Sequence, residues 1–96
     1  MRLCRWDVVK VPAFEGDTAG HPAVVLSPED MLADEKQIRI NVLIGTKKQP
    51  AESPRPYNVT LNGADGLGFA TLVNCALVYM ARKSQISERL GSVSHE

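Results

Sequence analysis

Gln37-Ile-Arg-Ile-Asn-Val-Leu-Ile44 sets Ile38, Ile40, Val42 and Ile44 two apart, with Arg39 and Asn41 between them. Successive side chains of an extended chain point to opposite faces, so this alternation predicts a β-strand with one buried face. The same signal recurs on either side. Residues 6–11 form a first predicted strand, closed by Pro12, and residues 23–26 a second, entered through Pro22 and ended by Ser27-Pro28. Between them, residues 15–20 have the composition of a loop. Downstream, Tyr57, Val59 and Leu61 alternate with polar residues, residues 63–66 supply a turn, and residues 69–73 and 76–80 complete six short strands. Two segments are read as helical. Residues 28–36 fit one turn with Met31 and Leu32 inward, although neighbouring acids suit a solvated loop equally well. Residues 84–90 set Ile86 and Leu90 four apart, with Ser84 as N-cap and Gly91 as stop. The fold class is mainly β, a small bent barrel or half-open sheet with one or two short helices.

A chain of 96 residues is a single domain, residues 1–96. A chain this size buries roughly 60–68% of its unfolded surface, enough for one core and no separate cofactor domain. A Rossmann or eight-stranded α/β-barrel enzyme is therefore excluded. The net charge is zero, from 11 Lys and Arg against 11 Asp and Glu. The distribution is uneven, however: residues 13–35 hold six acids and no Lys or Arg, whereas residues 36–56 hold five bases and one acid. Neutrality thus describes two opposed segments and does not argue against a nucleic-acid partner.

Cys4 and Cys75 have neither CxxC spacing nor a nearby His, so no zinc site or thioredoxin-like motif is expected. The charges at Arg2, Arg5, Asp7 and Lys10 interrupt any apolar N-terminal stretch, and the longest apolar runs are far too short to span a bilayer. The expectation is a soluble, cytoplasmic protein with no membrane partner.

Residues 45–56 leave the clearest strand as a loop with Thr46, Lys47, Lys48 and Arg55 and three prolines. Its ordinary reading is a solvated, proline-stiffened connection. Its functional reading is a phosphate-contacting loop, with Lys47, Lys48 and Arg55 on a nucleic-acid backbone. His21 ends a Gly-containing loop just before a strand. Histidine there is ordinarily a surface or turn residue, yet a free imidazole titrates near neutrality and so suits proton transfer. Asp17, Glu29 and Asp30 are conceivable metal carboxylates, but acidic loops are usually only solvated, and no metal site is expected.

Trp6-Asp-Val-Val-Lys-Val-Pro12, followed by Ala19-Gly-His-Pro-Ala-Val-Val-Leu-Ser-Pro28, resembles the opening of the MazF/PemK family of toxin endoribonucleases. That family reads G-D-V-V-x-V and then R-P-A-V-V-L-S. Further matches follow in order at Thr46 before Lys-Lys-Gln, at Val59 and Leu61, at Gly66-Leu67 and at Ile86-Ser-Glu-Arg-Leu-Gly91. The resemblance implies an SH3-like or CcdB/MazF-type barrel, a homodimer and cleavage of RNA with no metal or other cofactor. It also implies an antitoxin whose extended, often acidic tail blocks the RNA groove.

In this family a ribose 2′-hydroxyl attacks the adjacent phosphate, which favours single-stranded RNA, and an arginine and a threonine usually serve the reaction. Thr46 matches the threonine. His21 stands where the arginine is usual, so the resemblance makes His21 and Thr46 the catalytic candidates, with Lys47, Lys48 and Arg55 as the phosphate-binding set. A neutral imidazole moves a proton but does not clamp a phosphate as a guanidinium does. The alternative is a catalytically impaired RNA- or antitoxin-binding module of the same fold. A CcdB-like poison of a topoisomerase is a third possibility that no sequence feature favours.

Overall fold

The computed structural model describes residues 2–47, 58–61, 66–68 and 70–93. In chain order its elements are β1 (Asp7–Val11), β2 (His21–Val25), α1 (Glu29–Ala33), β3 (Arg39–Lys47), β4 (Asn58–Leu61), β5 (Thr71–Asn74), β6 (Tyr79–Arg82), a 3-10 turn (Lys83–Gln85) and β7 (Glu88–Ser92). The strands form one antiparallel sheet in the order β4-β5-β3-β2-β1-β7, with β6 also paired to β3. The sheet curls into a half-barrel, the mainly β architecture expected from the sequence.

The curl explains the apolar doublets of the first two strands. Val9, Val11, Ala23 and Val25 pack with Leu32, Ile40, Val42 and Ala81 in one core cluster. Val8 and Val24 point to the opposite face and join Leu61, Leu67 and Val73 in a second. Strands buried on both faces read as apolar runs, whereas β3 buries Ile40 and Val42 on one face and keeps its alternation. α1 covers the first cluster with Leu32. The Lys83 ammonium donates to the Met31 and Asp34 carbonyls at 3.0 and 2.8 Å, satisfying orphan acceptors at the helix end.

β3 is the strand on which the sheet turns. It runs past Ile44 through Gly45, Thr46 and Lys47, where the sequence suggested a loop. Its first half pairs with β6, ending at Val42 opposite Tyr79, and its second half pairs with β5, beginning at Gly45 opposite Val73. Leu43 and Ile44 therefore face the five residues 74–78, and the register shifts by three. Glycine is required at the changeover: a Cβ on Gly45 would lie 2.7 Å from Thr71 Oγ1 and 3.4 Å from the Pro22 carbonyl. The Thr71 hydroxyl is already committed to the Thr46 carbonyl at 2.6 Å.

Three further sequence expectations are corrected. β2 begins at His21 rather than after Pro22. Pro22 turns its carbonyl toward Gly45, so its nitrogen, which has no proton to donate, also faces β3 before the β2–β3 register starts at Ala23. The strand expected at residues 76–80 starts at Tyr79, because the Ala76 N–H turns back to Asn74 Oδ1 at 2.9 Å and residues 75–78 leave the ladder. The helix expected at residues 84–90 is a 3-10 turn followed by β7, which makes seven strands among the described residues rather than six. Two apolar residues four apart do not establish a helical period, and pairing with β1 decides the conformation. Gly91 sits inside β7 opposite Val8, beside a bulge in the β1–β7 register, and stops no helix.

At the chain's first turn, Asp7 is buried. It accepts the Cys4 N–H and the Ser92 hydroxyl, each at 2.8 Å, with the Arg89 guanidinium 3.7 Å away. Trp6 precedes it with φ 75°, a left-handed conformation that L side chains rarely adopt, and the Arg5 guanidinium lies 5.0 Å from its ring centroid. Trp6 lines an apolar cavity of about 170 Å³ with Val24, Leu43, Leu61, Val73 and Val93, among others. Both cysteines are free thiols. Among the described residues no helix is long and apolar enough to cross a membrane.

Candidate functional site

The connection from β1 to β2 is tied by a single carboxylate. Asp17 Oδ2 accepts the Ala13 N–H at 2.9 Å and Oδ1 accepts the Gly20 N–H at 3.1 Å, so the two ends of the loop close on one side chain. The same Oδ2 lies 2.6 Å from His21 Nδ1. Gly16 and Gly20 supply the positive φ angles, 88° and 75°, that the turn needs. Gly20 also lacks a Cβ where the stem of Lys10 passes; a Cβ would lie 2.6 Å from Lys10 Cγ. Phe14 meets the His21 ring edge-on, with centroids 6.0 Å apart.

Three donors on one carboxylate favour its ionised form. The Ala13 N–H, and after it the His21 ring and the Gly20 N–H, hold Asp17 below its ordinary value of 3.8 against the opposing effect of burial. A depressed folded pKa adds stability that is complete above the unfolded value and is lost as the pH falls through the folded one. Below pH 3.8, amide exchange at Ala13 and Gly20 is therefore expected to accelerate relative to core amides such as Val9. Equal acceleration at all three would assign the acid transition to the whole fold instead of this loop.

Around this knot opens a cavity of about 500 Å³ lined by Lys10, Asp17, Gly20, His21, Pro22 and Thr46, with Ala19 and Leu90. β1 brings Lys10, β2 brings His21 and β3 brings Thr46, and the β2–β3 pairing sets the last two at one end of the sheet. The Lys10 ammonium is half-exposed and 3.1 Å from Glu88 Oε1 on β7. The lining thus brings together a histidine, a threonine and a lysine, side chains able to move a proton and to face a developing negative charge. Among the described residues no three His, Cys, Asp or Glu side chains come together to hold a metal ion.

No protein-family model and no curated protein matches the chain. Solved structures do. An endoribonuclease in complex with its cognate antitoxin, from mycobacterial species, superposes with a TM-score of 0.71 at 17% identity, covering 98% of this chain and 79% of that one. The chain shares the fold of toxin endoribonucleases. A further endoribonuclease from mycobacterial species gives a TM-score of 0.72 at 16% identity, covering 99% and 79% of the two chains. An Mtb toxin gives 0.68 at 14% identity, covering 91% and 82%.

Within this toxin-endoribonuclease fold, the residues singled out from the sequence separate into two groups. His21 and Thr46 line one cavity. Lys47 closes β3, its backbone paired with Thr71, while Lys48 and Arg55 lie outside the described residues. Lys10 and Asp17 are the cavity residues that sequence reasoning did not place there. Asp17 carried only a composition signal: an Asp among glycines is usual in a turn, and nothing in the sequence ties it to His21. Lys10 carried none, because alternation in β1 assigns it only to the less buried face.

Proposed function

We propose that the chain is a toxin endoribonuclease of the MazF/PemK type, cutting single-stranded RNA without a metal ion and held inactive by an antitoxin. The observation that supports this reading is the convergence of His21, Thr46 and Lys10 on one cavity in a chain with this fold. In the reaction the 2′-hydroxyl yields its proton to His21, its oxygen bonds to the adjacent phosphorus as the bond to the 5′-oxygen breaks, and the 5′-oxygen takes a proton from water, leaving a 2′,3′-cyclic phosphate on the other fragment. A flexible backbone is needed for in-line attack, which favours single strands. The Lys10 ammonium faces the charge developing on the phosphate, the role a guanidinium takes where the family has arginine, and the Thr46 hydroxyl donates to the same oxygens. Lys47, Lys48 and Arg55 complete the basic track for the RNA backbone, and an acidic antitoxin tail competes for that track.

A homodimer belongs to the same reading. Leu77, Val78, Tyr79 and Met80 form an exposed apolar run entering β6, which among the described residues pairs only with β3. Sedimentation tests this part: a single 10.5 kDa species would remove the dimer.

The decisive experiment for the activity is incubation of the purified chain with mixed-sequence RNA in excess EDTA. Discrete cuts are expected. A gel shift without cuts would replace the enzyme by a binding module of the same fold.

A further inference from the structure

We infer that Asp17 is the positioning residue of His21, fixing the imidazole in its Nδ1–H tautomer so that Nε2 is the nitrogen offered to the substrate. This rests on the proposed reading of His21 as proton acceptor and deepens it.

An ionised carboxylate only accepts, so the 2.6 Å contact between His21 Nδ1 and Asp17 Oδ2 requires the proton on Nδ1 whenever the ring is neutral. Nε2 is then the nitrogen left with a lone pair. Asp17 cannot swing away to release the ring, because Oδ2 also receives the Ala13 N–H and Oδ1 the Gly20 N–H. Its side chain is almost entirely buried, at 5% exposure, whereas that of His21 is 28% exposed. The Phe14 edge contact restricts the remaining freedom of the ring. The carboxylate is therefore held by the scaffold, and the imidazole is the more exposed of the two at the cavity. A ring free to exchange tautomers would spend part of its time with Nε2 protonated and unable to accept the 2′-hydroxyl proton.

The test begins with nitrogen-15 NMR of the imidazole, in a chain carrying His95→Gln so that one histidine remains. Neutral His21 is expected to be protonated at Nδ1 and bare at Nε2. In Asp17→Ala the Nε2–H form is expected to become the major one, and kcat on RNA to fall on the order of 10²–10⁴-fold while KM stays within about twofold, since substrate contacts are unchanged. Amide shifts of core residues confirm that the variant is folded. A wild-type ring protonated at Nε2 would overturn the inference, as would an unchanged tautomer in Asp17→Ala or a loss carried by KM. The tautomer is read without RNA, so a chain that cuts no RNA but holds Nδ1–H in the wild type and loses it in Asp17→Ala refutes the activity and leaves the positioning role standing.

Discussion

His21→Ala is expected to lower RNA cleavage by on the order of 10²–10⁴-fold, the usual contribution of a positioned proton acceptor. The loss belongs in kcat, because alanine removes the proton acceptor and leaves Lys10 and Thr46 around the cavity. His21 is partly exposed at the start of β2, so the fold should tolerate the change and the melting temperature should move little. A double variant sharpens the result. If Asp17 acts through the imidazole, Asp17→Ala in the His21→Ala background should reduce cleavage no further. Unchanged cleavage in His21→Ala would remove this histidine from the reaction.

Ile40→Ala is the substitution expected to cost the fold most, roughly 2–5 kcal/mol. Ile40 is 2% exposed and packs in the cluster containing Val9, Val11, Val25, Leu32 and Val42, so a smaller side chain leaves a cavity that two strands and a helix cannot easily close. A domain of this length holds roughly 5–15 kcal/mol in total, so the variant forfeits a large share of its stability. Urea unfolding measures the change, and a midpoint equal to wild type would show that Ile40 is not part of a packed core.

Most of the sheet was legible because three strands carry a strong local signal. Doublets of valine in β1 and β2 and the alternation in β3 reflect burial that each strand needs wherever its neighbours lie. The errors fall where the decisive partner is distant. Residues 86–90 have no local preference strong enough to oppose pairing with β1, and two apolar residues four apart fit a strand nearly as well as a helix. Gly45 looked like the end of β3 because glycine usually marks a loop, whereas here it admits the Thr71 side chain.

The candidate site divides along the same line. His21 and Thr46 came from the resemblance, and the pairing of β2 with β3 brings them to one cavity. Asp17 was hidden by its own acidic segment, whose charges read as solvated or as metal ligands, although its carboxylate is consumed by two backbone N–H groups and a histidine. Lys10 depends on Gly20 and on Glu88, and Glu88 fell inside the segment mistaken for a helix.

Trp6 is the sole tryptophan of the chain, and its indole stands where the second core cluster opens to solvent. Excited near 295 nm, the protein therefore has one emitter, placed beside a guanidinium and against the apolar wall that Val24, Leu43 and Val73 provide. The Trp6 cavity shares no lining residue with that of His21. Emission is thus a built-in gauge of whether the half-barrel is folded, one that distinguishes loss of the fold from loss of chemistry without an added label.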